Sequence, residues 1–444
     1  MIKIFILLLL LLSNRLSSFN IKDGATEFYI NNSNNNFTYI HYLRLNFELQ
    51  PYEKVKIQFS IGNKLEEFKS LDNIKVIVWK IVLLYYFKYN LYIGIGDRYI
   101  NYSPYTIHLE EWNDNIFKGI FVHYKSDRYN LYFDGFVGLH SEETNRIKFE
   151  GEYLKTDVGF INKYYIDKIQ TESPTIWGGF KISKSWNRYF KNDLIYIREN
   201  YSLEKPVVGF ISYYFFNNDI YQPSFYFNYN NKLFFDIIPI LMIKKFTKYN
   251  GAGDYYGEGK HKLEIDYEKK EFVPAGEISF VIRNIYNYFL LNGKYTFTYR
   301  YIDEDYNPVH IDDGRLAENR GEDFLNDLLI GEKGYIINAE IPILKNHFWG
   351  IEYQAFINTF NQKKYFEKRY FLKQMIINKV NLLLMLQNKN GYLNEYGNIN
   401  NLTGFIIILK GEISKNFYLQ FQYIENKDNI KNNNIVLLKS VIKF

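Results

Sequence analysis

The residues whose charge and spacing could do chemistry are Arg44 and Glu48, Lys54 and Lys56, the run Lys262, Glu264, Asp266 and Glu268, and Arg300. Each falls on the polar register of an alternating segment, and positions two apart on an extended chain share one face. Unpaired burial costs several kcal/mol per ion, so water must reach that face, and its chemistry is the handling of ions and polar solutes. Bond-making chemistry is not indicated. The histidines at 41, 108, 123, 140, 261, 310 and 347 show no metal-ligand spacing, and neither a Gly-x-Ser-x-Gly elbow nor a Gly-rich phosphate loop occurs. His41 and His261 sit on apolar registers, as interfacial residues would. With no cysteine, disulfides, thiolate catalysis and anchoring through a lipidated cysteine are excluded. No enzyme activity, metal, cofactor or nucleic-acid partner is expected.

The elements that must position these charges are strands. Aromatics make up 19% of the chain, with 43 Tyr and 38 Phe against 9 Pro, a β-rich profile that an AT-rich genome would also write, so pattern must decide. Phe37, Tyr39, His41, Leu43, Leu45, Phe47 and Leu49 alternate with Thr38, Ile40, Tyr42, Arg44, Asn46, Glu48 and Gln50. After a hairpin-length turn at Pro51 to Glu53, Val55, Ile57, Phe59 and Ile61 alternate with Lys54, Lys56, Gln58 and Ser60. The same alternation returns at Tyr295 to Tyr301 and Phe417 to Tyr423.

Past the N-terminal segment no uninterrupted apolar run reaches the 18 or so residues of a spanning helix. A chain that crosses a bilayer without such helices must do so as a closed barrel, apolar outward and polar inward. Turn signals at Asn90, Lys125 to Arg128, Glu142 to Asn145, Asn217 to Asp219, Asn230 to Lys232, Asn388 to Gly391 and Asn426 to Asn434 separate the runs. They recur about every 20 to 25 residues, which predicts one transmembrane antiparallel β-barrel of about 18 strands, within 16 to 20 and even in number. Two stretches read as long loops: Tyr249 to Lys260, rich in glycine, and the acidic Glu304 to Gly334, a surface loop or a constriction folded inward. The acids from Asp303 to Asp313 lack the spacing of a defined calcium loop and read as a solvated loop.

The ends complete the organisation. Residues 1–18 combine basic Lys3, an apolar run from Ile4 to Leu12, and small Ser17 and Ser18, which predicts a cleaved secretory signal. Residues 19–36, short and Asn-rich, read as a flexible periplasmic tail, and 37–444 as the barrel. The last strand sets Val436, Leu438, Ser440, Ile442 and Phe444 on one register and Lys439 and Lys443 on the other.

With its signal, its alternating strands and this terminal strand, the chain resembles a bacterial outer-membrane porin. The stretch Ile93, Gly94, Ile95, Gly96, Asp97, Arg98, then Glu111, Trp112, Asn113 and Phe117, Lys118, Gly119, is similar to a hairpin of substrate-specific, alginate-export-like porins, with Asp97 intervening between Gly96 and Arg98. The resemblance implies an outer-membrane location, outer-membrane lipids around the barrel, and a C-terminal signal (Val436, Leu438, Ile442, Phe444) read by the barrel assembly machinery. Homo-oligomers are open to such a barrel. The function expected is passive diffusion of small polar or charged solutes along a pore lined by the charges named above. The alternative is a closed or plugged barrel acting as an adhesin or structural protein. A carrier of hydrophobic compounds would want an apolar lumen pocket and an N-terminal hatch, and the sequence displays neither.

Overall fold

β-branched and aromatic side chains fit a pleated surface, and here they hold the chain extended along most of its length. The computed structural model describes residues 18–33, 36–66, 77–103, 105–108, 117–140, 176–207, 210–251, 263–283, 293–303, 306, 332–344, 347–358, 364–377, 380–393, 399–414, 417–427 and 432–443. The first strands are β1 (Ser18–Ser33), β2 (Asn36–Tyr52), β3 (Val55–Glu66), β4 (Ile77–Lys88), β5 (Leu91–Arg98), the short β6 (Asn101–Ser103) and β7 (Ile107–His108), β8 (Phe117–Ser126), β9 (Leu131–His140), β10 (Ile176–Ser185) and β11 (Phe190–Val207). They are followed by β12 (Phe210–Tyr229), β13 (Leu233–Gly251), β14 (Leu263–Arg283), β15 (Lys294–Ile302), β16 (Glu332–Leu344), β17 (His347–Asn358), β18 (Lys364–Ile377), β19 (Val380–Leu393), β20 (Ile399–Ser414), β21 (Phe417–Lys427) and β22 (Asn432–Lys443).

Chain neighbours pair antiparallel all the way round, β5 passing directly to β8 because β6 and β7 form their own two-stranded ribbon. β1 pairs with β2 on one side and with β22 on the other, from Asp23↔Lys443 to Ser33↔Asn433. The twenty strands of the large sheet therefore close on themselves, which removes the free edge that would otherwise expose unpaired amides. The all-β antiparallel barrel expected from the sequence is thus present, with an even strand number.

Residues 19–36 require a correction. The sequence predicts a flexible tail there, whereas 18–33 form β1, whose Asn-rich end pairs with Asn36–Thr38 on β2 and Asn433–Ile435 on β22. Having a partner on both edges outweighs the weak strand propensity of Asn, Asp and Gly. Two turn readings are corrected as well, since Asn217–Asp219 lie inside β12 and Asn388–Asn390 inside β19. In β12 these polar residues have partners across the wall. Asn218 Nδ2 donates to Glu199 Oε2 at 3.0 Å, and the Tyr196 hydroxyl donates to Asp219 Oδ1 at 2.7 Å. Most of the two long stretches, residues 1–17 and Phe444 lie outside the described residues.

The wall is apolar on its outside. Leu45, Ile95, Val137, Leu194, Phe297 and Leu386 are exposed, while their neighbours Arg44, Gly94, Phe136, Ile195, Thr298 and Gln387 are buried inside. Short turns at 53–54, 89–90, 127–130, 186–189 and 230–232 mark one end, which also receives the end of β22. Most connections at the other end are longer. Twenty strands about 4.8 Å apart and tilted about 40° form a backbone ring about 40 Å across. Side chains alone cannot fill such a ring.

Candidate functional site

A segment of the chain itself narrows the lumen. At the end of β5, Gly96 adopts φ 131°, and a Cβ there would stand 2.1 Å from the Ile81 carbonyl oxygen, so only glycine fits as the chain turns off the wall. Residues 99–103 and 105–106 then lie against the inside of the barrel. Ile100, Tyr102 and Tyr105 are buried there, packed with Phe121, Phe136, Trp177 and Ile195 of the wall. From the far side Tyr306, which is 0% exposed, joins the same cluster and donates its hydroxyl proton to the Tyr105 carbonyl.

Charged groups pin this segment. Asp134 on β9, 0% exposed, accepts from Arg98 Nη2 at 2.7 Å and from the Tyr102 hydroxyl at 2.6 Å, and His123 Nδ1 lies 3.2 Å away. Lys181 Nζ donates to the Tyr102 carbonyl at 3.0 Å. At the other end of the segment the Tyr105 hydroxyl donates to Glu277 Oε2, which also accepts from Arg300 Nε at 3.1 Å. Burial pushes the phenols of Tyr102, Tyr105 and Tyr306 well above the ordinary phenol range, so they serve as neutral donors.

Other inward charges are matched across neighbouring strands. Glu48 accepts from Lys56 Nζ and Gln58 Nε2, each at 3.0 Å. Glu352 accepts from Arg369 Nη1 at 2.8 Å, Gln354 at 2.8 Å and Asn338 at 2.9 Å, and Lys373 meets Glu340 at 2.7 Å. Such neutral pairs present local dipoles to a solute. They do not build opposed walls of single sign, so the field across the lumen is weaker than an arrangement of segregated rings would give.

The nine charges singled out from the sequence divide into four groups. Arg44, Glu48, Lys56 and Arg300 are on the inner register, with Arg44 and Arg300 buried. Lys54 is not on a strand face, because β2 runs on through Pro51 and Tyr52 and leaves Glu53 and Lys54 as the exposed turn. Lys262 lies outside the described residues. Glu264, Asp266 and Glu268 occupy the far end of β14, beyond the register where exposed Lys245 and Lys270 face each other on the outer side and end the apolar band. Glu268 shares the outer register of Lys270 and Phe272, and a bulge leaves Asp266 without a partner position. Of the terminal-strand residues, Leu438 is exposed on the outside opposite Phe28 and Phe421, in line with Val436 and Ile442.

What the sequence did not disclose is the anchoring set Tyr102, Tyr105, Asp134, Glu277 and Tyr306. It also did not disclose that one side of the inner wall, from Val82 on β4 to Ala275 on β14, carries a cluster of buried apolar side chains among its polar ones. The inner face was expected to be polar because it would meet water. Where the chain folds back upon it, that face becomes a core instead. A usable signal was present in Tyr132, Asp134 and Phe136, where one acid sits between aromatics on a single register.

Among the described residues no group of three or more His, Asp or Glu could hold a metal, and no helix is long and apolar enough to cross a membrane. No protein-family model and no curated protein matches the chain. The fold is similar to the crystal structure of Pseudomonas aeruginosa OpdK with vanillate, at 9% identity and TM-score 0.52, covering 97% of this chain and 100% of that one. A second structure of P. aeruginosa OpdK, as OccK1, matches at 11% identity and TM-score 0.49 over 97% and 99%. P. aeruginosa OpdQ matches at 8% and 0.45 over 96% and 99%. The likeness to the vanillate-bound OpdK structure shows a shared barrel fold along essentially the whole chain.

Proposed function

We propose that this chain is a porin-like channel of a bacterial outer membrane, through which small polar or charged solutes diffuse past the inward segment 99–108. The observation that carries this reading is a closed twenty-strand ring, apolar outside, whose lumen is narrowed on one side while charged pairs line the rest. A ring this wide leaves an aqueous path unless it is fully plugged, and the fold shared with OpdK supports the same reading. Arg44, Glu48, Lys56 and Arg300 would belong to the path's wall, together with Glu277, Glu352 and Arg369. Residues 1–18 would direct export. The outer row Val436, Leu438 and Ile442, with Phe444, would be the surface taken up by the assembly machinery.

The test is single-channel conductance of the refolded barrel in a planar bilayer under a salt gradient. Stable steps with a reversal potential near zero are expected, because the charges are paired. A barrel shown to be folded by heat-modifiable migration, yet silent, would overturn the reading in favour of a plugged adhesin-like protein.

A further inference from the structure

The cations of the short-turn rim differ from those of the lumen. Lys54, Lys88, Arg128, Arg188 and Lys232 each sit in or beside a different one of the five described turns at that end, all exposed. Among the described residues none of the five has an ion-pair partner, whereas the lumen bases Lys56, Arg300, Arg369 and Lys373 are each in an ion pair. In these turns the acids are Glu53 and Asp127, and Asp127 is 3.4 Å from Lys125.

Each cation has an exposed aromatic beside it: Tyr52, Tyr89 at 87% exposure, Tyr129, Trp186 at 68% and Tyr229. Arg188 lies 4.5 Å over the Tyr189 ring, Arg128 5.5 Å over Tyr129 and Lys184 5.6 Å over Trp186. Stacking steadies a cation while leaving its N–H groups free to donate. Tyr and Trp at this height settle at the headgroup level of a bilayer. The connection from β15 to β16, which in sequence carries the acidic run from Asp303 to Asp327, leaves the opposite end.

We propose that the short-turn rim is a binding ring for anionic phospholipid headgroups, each turn offering a cation to a lipid phosphate beside an aromatic seated at the interface. The ring would select the leaflet richer in anionic lipid and fix the depth of the barrel. This rests on the membrane-barrel reading but not on conduction, so a silent barrel with a lipid preference, or a conducting barrel without one, separates the two.

The experiment is electron spin resonance of the full refolded protein in phosphatidylcholine vesicles with spin-labelled phosphatidylglycerol or spin-labelled phosphatidylcholine as probe. The labelled phosphatidylglycerol should be held at the barrel surface about fivefold more strongly than phosphatidylcholine at low salt. High salt should remove the difference, as the Debye length falls to about 3 Å at 1 M. The variant K54Q/K88Q/R128Q/R188Q/K232Q, with heat-modifiable migration as the check on folding, should lose the preference and keep its contact with phosphatidylcholine. Equal retention of both probes by the native barrel, or an undiminished preference in the folded variant, would overturn the proposal. Loss of the preference in inorganic phosphate but not in chloride of equal ionic strength would reassign the ring to free phosphate. Loss of the preference only when an acidic protein is added would reassign it to a protein partner.

Discussion

Phe121 lies flat on Gly94, directly across the β5–β8 ladder, its ring carbons 2.0 and 2.1 Å from where a Cβ on Gly94 would stand. The ring is thereby pressed against the wall and does not project into the lumen, and the Arg98 guanidinium sits 4.8 Å above it on the way to Asp134. The same cross-strand device recurs where Phe371 covers Gly350 and Phe356 covers Gly334.

Gly94→Ala should therefore lift Phe121 and disturb the inward segment. Overpacking of this kind costs about 1–3 kcal/mol, and urea unfolding in vesicles should show it. Adding Phe121→Leu should recover part of the loss by making room for the new methyl. A Gly94→Ala barrel of unchanged midpoint would show that the ring is free to move.

Asp134 holds Arg98 and Tyr102 together, so its removal leaves a cation on the inner wall without its acid. Breaking a buried pair on one side costs about 3–5 kcal/mol, somewhat less here because Arg98 keeps some contact with water. Asp134→Ala should release the segment and enlarge the single-channel step. Asp134→Asn, which keeps the shape but not the charge, should fall between. Identical steps in all three proteins would mean that packing alone holds the segment.

The strands were legible because their outer face has one task, to be apolar, and period-two alternation from Phe37 to Leu49 records it plainly. The lumen was legible only where charges stand on the polar register of a long alternating run, as at Arg44, Glu48, Lys56 and Arg300. Segment 99–108 turns inward through contacts between residues far apart in sequence, such as Tyr105 with Glu277 and Tyr306, and no local periodicity encodes them. Asn217 to Asp219 misled for the opposite reason, since polar residues suited to a turn are equally suited to a strand that offers them partners on both faces, Glu199 to Asn218 inward and Tyr196 to Asp219 outward. β1 escaped notice because closure, a global condition, decides its fate.

Leu45 faces out and Lys56 faces in, so the two sites should respond oppositely to charge. Leu45→Arg should cost about 2–4 kcal/mol if it lies near the bilayer midplane, and lower the yield of folded barrel, whereas Lys56→Gln should leave folding nearly intact. Heat-modifiable migration after refolding into vesicles gives both answers. Similar losses at the two sites would contradict the inside-out wall.

Alkali should loosen the inward segment. The phenols of Tyr102, Tyr105 and Tyr306 are raised by burial above the ordinary value of 10.0, so packed and released segments are alike in charge at lower pH. Above about pH 10 a released phenol ionises while a packed one does not. The preference for packing is thus whole below pH 10 and is lost as pH rises toward the packed values. The single-channel step should grow above about pH 10. The variant Y102F/Y105F/Y306F should not show this growth, and equal growth in both would trace it to lumen lysines.

Pro223 and Pro239 face one another across β12 and β13. The ladder runs through Tyr221↔Leu241, stops, and resumes at Phe225↔Ile237, so residues 222–224 have no partner there although the register is unbroken. Neither proline carries an N–H, and in hydrocarbon no water replaces the missing donors. Valine at both positions would restore up to two hydrogen bonds, about 0.5–1.5 kcal/mol each. Losing two prolines frees the unfolded chain by a comparable amount, about 0.4–1 kcal/mol each. Global stability is therefore a poor readout and local opening a good one. Backbone amides of Tyr221, Phe225, Ile237 and Leu241, which flank the gap on the same side as the two prolines, should exchange with deuterium about tenfold faster than those farther along the ladder, a local difference near 1.4 kcal/mol. The double valine variant should bring them level. Uniform protection in the native barrel would mean that the strands stay joined at this seam by their remaining contacts.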